Sequence, residues 1–286
     1  MHPTEDLDST SKILRSIAGS ALPKYLTRSC ARKFRRRNLG KRILSTTTRG
    51  SKLITVIGDN VDNEIALTGA FESHITKIIS AIAENRKGLF LDIGCHLGYY
   101  SALVAAVSDG IEITAVDANP VMARRCKENM EINGITASVI NVGVGNEPAE
   151  LDFNTSLTSP SLGTFGENPP DGIDLETIRV KVIPFSEILD GCEGAITLMK
   201  MDVEGFEYLA LSSLRPDQIS RIENLILEFS DIRLHQCGQS RKNFENLGWI
   251  NEFNLKLIPE HGEPIPLGCL NEVPAGDQNV WFERKA

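Results

Sequence analysis

The chain contains 286 residues, of which 41% are hydrophobic, with a formal net charge of −8 at pH 7, and this length and apolar content can supply a sizeable core. No apolar run approaches the roughly 20 residues that cross a bilayer, and the six cysteines are widely spaced without a Cys-x-x-Cys pair. The composition therefore argues against a membrane-spanning protein, a zinc site and a disulfide framework, and it favours a reducing, cytoplasmic location.

The N-terminal segment is strongly basic. A short helix is predicted over residues 11–17, and residues 24–52 contain eleven Lys or Arg and no Asp or Glu. Such a segment can be a solvated helix face, a helix that contacts a membrane surface or another polyanion, or a surface that contacts the acidic remainder of the protein. We expect a basic N-terminal extension over residues 1–52 and one catalytic domain over residues 53–286.

The catalytic domain begins with a hairpin-like lead-in over residues 53–67 and a helix with apolar residues at helical spacing. Strands and helices then alternate, which predicts an α/β fold with a parallel sheet. The first half of this alternation consists of strands at 89–93, 111–116 and 137–144 and helices at 99–107 and 120–133.

A stretch rich in Ser, Thr, Gly and Pro interrupts the alternation at residues 154–178. We expect it to be a loop that covers the substrate, with a plain surface excursion as the alternative. The alternation then resumes with strands at 178–183, 196–201 and 225–230 and helices at 184–189 and 206–214.

A glycine-rich turn runs from Asp92 to Gly98, between the first sheet strand and the next helix. Gly94 permits a tight reversal, and Gly98 permits a close helix start. His96 stands where a dinucleotide fingerprint has its second glycine, so a pyrophosphate would fit badly. Asp92 would repel phosphate but attract an ammonium group, and Asp117 ends the next strand where a ribose acceptor is expected. These features favour S-adenosylmethionine (SAM) over a nicotinamide cofactor, unless both carboxylates only cap helices.

Further carboxylates follow two later strands. Strand alternation predicts that Asp202 and Glu204 point to the same side, where like charge would make one of them a proton acceptor. The pair could instead bind a divalent cation, although no metal ligand is predicted. Alternatively, Asp202 caps the following helix. Glu228 ends the neighbouring strand and is a candidate for binding a substrate hydroxyl.

The chain resembles FkbM-type SAM-dependent methyltransferases in four ordered motifs, of which the last is the most specific. These motifs are Gly69-Ala70-Phe71-Glu72, the Asp92–Tyr99 turn, Asn141-Val142-Gly143-Val144-Gly145 and Lys200-Met201-Asp202-Val203-Glu204-Gly205-Phe206-Glu207. Cys95 and His96 depart from the family's commoner Ala-Asn at these two positions.

The resemblance implies a Rossmann-like class I methyltransferase fold, with a seven-stranded, mostly parallel sheet, helices on both faces and an antiparallel last strand at residues 279–282. It also implies that Asp92, Gly94, His96, Gly98 and Tyr99 hold the methionine part of SAM, Asp117 the ribose, and Gly143 and Val144 the adenine edge. Glu72, in the first motif, joins this cofactor-binding set.

The expected reaction is O-methylation of a hydroxyl on a sugar, glycan or other small-molecule natural product. Asp202 and Glu204 would accept or orient the departing proton, and Glu228 would contact the acceptor. Two alternatives remain open at this point. One is an N-methyltransferase acting on protein or nucleic acid, suggested by the basic segment, and the other is a non-catalytic SAM-binding interaction module.

Overall fold

The computed structural model describes residues 4–156 and 175–286. Its N-terminal part contains a helical hairpin, α1 (Ser9–Ala18) and α2 (Lys24–Asn38), followed by an antiparallel β-hairpin, β1 (Arg42–Thr46) and β2 (Lys52–Val56), and by α3 (Asn60–Thr68). Among the described residues, no helix is both long and apolar enough to cross a membrane.

The lead-in predicted as a hairpin over residues 53–67 was wrong in position. Its second half is helical because Asp59 caps α3, accepting hydrogen bonds from the backbone N–H groups of Val61 and Asp62. The hairpin lies earlier in the chain and includes residue 52 in β2. The predicted boundary between the N-terminal extension and the catalytic domain, after residue 52, therefore falls at the start of the paired strand β2. This boundary stays a proposal.

The main sheet has eight strands in the described part of the chain, in the spatial order β12-β11-β13-β10-β9-β3-β4-β5. The strands are β3 (Lys87–Ile93), β4 (Gly110–Val116), β5 (Ala137–Ile140), β9 (Ile196–Met201), β10 (Asn224–Ser230), β11 (Phe253–Ile258), β12 (Ile265–Leu267) and β13 (Asp277–Arg284). As predicted, the last strand, β13, is antiparallel, and it lies between β10 and β11. The predicted count of seven misses the three-residue edge strand β12, which is too short to show a period-two pattern.

Helices cover both faces of this sheet, as expected for a parallel sheet with buried strands. They are α4 (Ser73–Ala83), α5 (Tyr99–Val107), α6 (Pro120–Ile132), α7 (Phe185–Asp190), α8 (Glu207–Ser212), α9 (Pro216–Ile219), α10 (Asp231–Gln236) and α11 (Arg241–Glu245). In the central strand β3, Phe90 packs in one hydrophobic cluster and Leu91 in the other. Its unbroken apolar run is therefore a consequence of burial on two sides.

A second, three-stranded sheet has the order β6-β8-β7, with β6 (Gly143–Gly145), β7 (Ala149–Ser156) and β8 (Leu175–Pro184). The single strand predicted over 137–144 is therefore divided between the two sheets. The loop predicted over 154–178 was too long, because its ends pair antiparallel as parts of β7 and β8. The remainder of that loop, and with it the expected substrate cover, lies outside the described residues.

Candidate functional site

A cavity of about 230 Å³ opens at the carboxyl ends of the central strands. This is the edge at which open α/β sheets bind their ligands. Nine of the twelve predicted site residues line it, namely Gly94, His96, Tyr99, Asp117, Gly143, Val144, Asp202, Glu204 and Glu228. The other three, Glu72, Asp92 and Gly98, are not among its lining residues.

Gly94 joins the two predicted motifs physically. Its φ is +82°, and a Cβ atom there would lie 1.8 Å from the carbonyl oxygen of Asp202. Only glycine therefore allows the turn after β3 to lie directly against the end of β9. Gly98 has a different neighbour, because a Cβ there would lie 2.8 Å from Cys126 Sγ on α6. The three atoms nearest to that Cβ all belong to α6, so the close approach at Gly98 is to this helix rather than to the preceding strand.

Asp92 is 1% exposed and is held by the start of α5. Its Oδ2 accepts hydrogen bonds from the Ser101 backbone N–H at 3.0 Å and from Ser101 Oγ at 2.6 Å. Burial raises the pKa of Asp92 to about 6, although the bonds from Ser101 oppose that rise. Asp92 therefore fixes the helix beneath the cavity, and its contact with a cofactor ammonium stays a prediction.

The carboxylate of Asp117 binds backbone N–H groups, one of which belongs to the glycine-rich turn. It accepts hydrogen bonds from the N–H groups of His96 and Asn119, each at 2.8 Å. Burial raises the pKa of Asp117 to about 7 in spite of these bonds. The helix-cap alternative does not hold for Asp117, because Asn119 caps α6 by accepting from Val121 N.

His96 has an unusual environment that the sequence did not reveal. Its φ is +50°, and both ring nitrogens are buried without a hydrogen-bond partner. Ligand-type atoms of His96, Asp59 and Asp62 lie within 4.8 Å of one another. However, Asp62 is already ion-paired with Arg125, so a metal ion would have to compete with a buried guanidinium. Burial lowers the pKa of His96, which favours its neutral form.

Asp202 lies beside a buried lysine. Lys200 is 2% exposed, and its Nζ lies 3.4 Å from Asp202 Oδ2 and 6.0 Å from the centroid of the Tyr100 ring. Burial alone would lower the pKa of Lys200, but Asp202 and Glu72 raise it, so the ammonium stays charged. Lys200 had no predicted role, because sequence periodicity cannot show that the ammonium of a strand lysine lies beside Asp202.

Asp202 and Glu228 form a coupled carboxyl pair. Burial opposes ionisation of Asp202, but Lys200 and a hydrogen bond with Glu228 lower its pKa below the usual value. The charge of Asp202, together with burial, raises the pKa of Glu228 well above its usual value. Of the two carboxyl groups, Glu228 therefore favours its protonated form and Asp202 its ionised form.

Glu204 reaches the cavity by a route that differs from the prediction. The strand β9 ends at Met201, and Glu204 has a left-handed backbone with φ of +59°, so strand alternation does not apply to it. Its carboxylate forms an ion pair with Arg233 from α10. Burial and the charge of Asp202 raise the pKa of Glu204 to about 8.

The turn after β9 is held by Glu207. Its Oε1 accepts hydrogen bonds from Val203 N at 3.0 Å and from Gly205 N at 3.2 Å. The residue preceding α8 is Phe206, so Asp202 is not the cap of that helix. Since Glu207 holds the turn, Asp202 remains available to the cavity.

The remaining predicted residues lie in the walls of the cavity or behind them. Glu72 immediately precedes α4 and accepts a hydrogen bond from the hydroxyl of Tyr100, a lining residue, at 2.7 Å, so it supports the wall from behind. Tyr99 packs edge-on against Phe71, with 6.4 Å between ring centroids. Gly143 and Val144 belong to an apolar wall that also includes Val116, Val142 and Phe153. A flat apolar ring system would fit against that wall.

Comparison with known proteins identifies a family. Residues 92–254, more than half of the chain, match the profile of the methyltransferase FkbM domain. A curated relative, the ribosomal RNA small subunit methyltransferase C of Serratia proteamaculans (strain 568), is 24% identical over 132 residues. The match covers 41% of this chain and 38% of that protein, so the chain spans well under two thirds of this relative.

Solved structures of methyltransferases also align with the chain. A SAM-dependent methyltransferase from Agrobacterium tumefaciens aligns with a TM-score of 0.44 and 13% identity, over 86% of this chain and 71% of that one. A methyltransferase from Geobacter sulfurreducens aligns with a TM-score of 0.40 and 14% identity, over 74% of this chain and 78% of that one.

Proposed function

The chain belongs to the FkbM methyltransferase family and is a SAM-dependent methyltransferase, and we propose that it methylates a hydroxyl oxygen on a sugar, glycan or other small-molecule natural product. The observation that supports this proposal is the carboxyl pair of Asp202 and Glu228 at the cavity, in which the ammonium of Lys200 lies 3.4 Å from Asp202 Oδ2. A hydroxyl becomes a good nucleophile only if its proton has an acceptor, whereas a neutral amine attacks without one.

The residues of the cavity fit SAM as their cofactor. The predicted cofactor residues at its wall include the carboxylate of Asp117, an acceptor suited to a ribose diol, and the apolar strand residue Val144. The orphaned ring nitrogens of His96 are further polar groups that a ligand could satisfy. The ionised carboxylate of Asp202 at the wall would repel a phosphate, which suits a phosphate-free ligand.

In the proposed mechanism, the protein orients the acceptor and receives one proton. SAM, when bound, would supply a methyl group on a positively charged sulfur, and this methyl group would pass to the acceptor oxygen as its bond to sulfur breaks and S-adenosylhomocysteine leaves. Asp202 takes the proton of the hydroxyl as the oxygen–methyl bond forms. Glu228 keeps its own proton and donates a hydrogen bond to Asp202, and Lys200 balances the charge of the pair. Glu204 is paired with Arg233 and is therefore assigned to positioning of the acceptor.

Two ion pairs favour proton acceptance over binding of a divalent cation. Asp202 has Lys200 as its counter-ion, and Glu204 has Arg233. A cation between the two carboxylates would have to displace or approach both of these positive charges.

The proposal is tested by a competition among acceptor classes. The purified full chain is incubated with methyl-labelled SAM and with polyhydroxylated small molecules, peptides and RNA in parallel. We expect release of S-adenosylhomocysteine with a hydroxyl compound and formation of a methyl ether, identified by mass spectrometry. Label on a peptide or base nitrogen would support the N-methyltransferase alternative instead. SAM binding by calorimetry without turnover on any class would favour a non-catalytic role.

The basic segment over residues 24–52 remains a separate proposal as a contact for a polyanion or a membrane surface. Deleting residues 1–52 would remove β1, the pairing partner of β2, and would disturb the fold. Substitution of exposed residues is therefore the appropriate way to test this segment.

A further inference from the structure

Exposed apolar side chains are concentrated in the N-terminal part of the chain. Ten large hydrophobic residues are exposed in the part of the chain that the structure describes, and six of them lie before residue 45. Three are clustered where α1 connects to α2. They are Leu22, Tyr25 and Leu26, with exposures of 47%, 78% and 37%. We call these three residues the apolar tip.

The helix α2, which contains two residues of the apolar tip, is basic on its outer side. Its exposed cations are Lys24, Arg28, Arg32, Lys33, Arg35 and Arg36, none of which forms an ion pair with a described acidic residue. By contrast, the neighbouring Arg37 is paired with Asp8 at 3.2 Å. The six unpaired cations form a continuous positive face on a protein whose net charge is −8.

This face is free because the other side of α2 is used for packing. Phe34 is fully buried in a small core with Ile43, Ile57 and Ala66. Asn38 donates a hydrogen bond to Ser11 Oγ at 2.9 Å, which ties α2 to α1. The helical hairpin is therefore anchored from within, and neither its apolar tip nor its cations are needed to hold it in place.

We propose that the α1–α2 hairpin docks on a membrane surface that contains anionic lipids. The apolar tip would enter the interfacial region, and the cations of α2 would contact the lipid head groups. A nucleic acid would attract the same cations, but exposed leucines gain little beside a phosphodiester backbone, whereas they gain by leaving water at a lipid interface. Tyrosine is also a residue typical of membrane interfaces. The combination of exposed apolar residues and unpaired cations on one hairpin therefore favours the lipid surface. This docking is independent of the proposed reaction.

The first test is flotation of the full chain with vesicles. One set contains phosphatidylcholine alone, and the other contains in addition about a quarter phosphatidylserine. We expect binding to the anionic vesicles, loss of that binding at high salt and little binding to the neutral vesicles. Failure to bind the anionic vesicles at low salt would overturn the proposal.

Two variants separate the contributions, and a third serves as the matched control. Arg28→Gln/Arg32→Gln/Arg36→Gln should weaken binding by about 100-fold, since each cation near an anionic surface contributes several-fold. Leu22→Ser/Leu26→Ser should weaken it by about tenfold through lost apolar burial. Arg124→Gln/Lys127→Gln/Ile132→Ser makes equivalent exposed changes on α6 and should leave binding unchanged.

A nucleic acid or a second copy of the chain, bound to the hairpin in place of a lipid surface, would give different results. If a single-stranded poly(U) RNA binds more tightly than the vesicles, and the leucine variant binds it as the unaltered chain does, the partner is a nucleic acid and the lipid assignment is wrong. If light scattering shows a dimer that the leucine variant converts to a monomer, the apolar tip is an interface between copies of the chain. Methyl transfer to a small molecule would be retained in either case, so these outcomes do not bear on the proposed reaction.

Discussion

Carboxylates at the same edge of the sheet behave in opposite ways. Asp117, at the end of β4, is held by neutral backbone donors, and burial raises its pKa to about 7. Asp202, just beyond β9, has a buried lysine ammonium within 3.4 Å of it, and its pKa is lowered. The full charge of a neighbouring ammonium lowers a carboxyl pKa more than burial raises it, whereas the dipoles of backbone N–H groups do not outweigh burial. The partner of a strand-end acid, rather than its place at the edge of the sheet, therefore decides its chemistry.

The two regions are therefore suited to different tasks. The β4 side offers hydrogen-bond acceptors whose charge is easily lost, which suits binding of a ligand that donates hydrogen bonds. The β9 side places a carboxyl group whose pKa is lowered, Asp202, with one whose pKa is raised, Glu228, and this combination suits transfer of a proton. Substitutions on the β9 side should therefore affect turnover, and substitutions on the β4 side should affect cofactor binding.

The largest effect is expected for Asp202→Asn. The variant should lose about a thousandfold in kcat, since a positioned proton acceptor contributes on this scale. Its affinity for SAM, measured by calorimetry, should change little. As a control, Asp190→Asn removes a carboxylate paired with Arg215 outside the cavity and should keep full turnover. If the Asp202→Asn variant kept normal turnover, Asp202 would not be the proton acceptor.

The second effect concerns the point where the two regions touch. Gly94→Ala should lower the free energy of unfolding by about 3 kcal/mol or more, because the added Cβ meets the Asp202 carbonyl in a left-handed backbone. Gly134→Ala provides the matched control, since Gly134 also has a positive φ, +67°, but nothing within 4 Å of the added atom. It should cost about 1 kcal/mol from backbone strain alone. Equal losses in urea titrations would show that the contact with Asp202 is unimportant.

The sequence predicted the sheet better than it predicted the site. Apolar runs bounded by turn residues identified the central strands, with β9 over 196–201 in full agreement, because strands buried on two faces carry a strong signal. Contacts between residues that are far apart in the chain leave no such pattern in the sequence. Asp59 and Asp62 reach His96, and Glu72 binds Tyr100, across intervals that no periodicity connects. The turn at Glu204 also escaped prediction, because a left-handed conformation is rare in non-glycine residues.

A third test addresses the β4 side. Asp117→Asn should weaken SAM binding by about 10- to 100-fold through loss of a charged hydrogen-bond acceptor. Ligand hydroxyls that donate to Asp117 favour its ionised form, so binding should lower its pKa from about 7 and release a proton. At pH 7 the release should be about half a proton per site, measured by calorimetry in buffers of different ionisation enthalpy. Asp109→Asn, at the opposite end of β4, should alter neither quantity.

The smallest effect is expected when the buried ammonium of Lys200 is removed from beside Asp202. Without the ammonium of Lys200, the pKa of Asp202 rises, so the proton acceptor of Lys200→Met loses its charge at higher pH than in the unaltered chain. The acid limb of the kcat/KM profile should therefore move upward by about one pH unit. Activity should fall more at pH 6 than at pH 8, a pattern that mere loss of stability would not produce. Lys256→Met provides the control, since Lys256 also pairs with a carboxylate, Glu283 at 2.9 Å, and lies over a ring, 4.0 Å from the Trp281 centroid, but outside the cavity. If both variants leave the acid limb in place, the charge on Asp202 does not depend on its lysine neighbour.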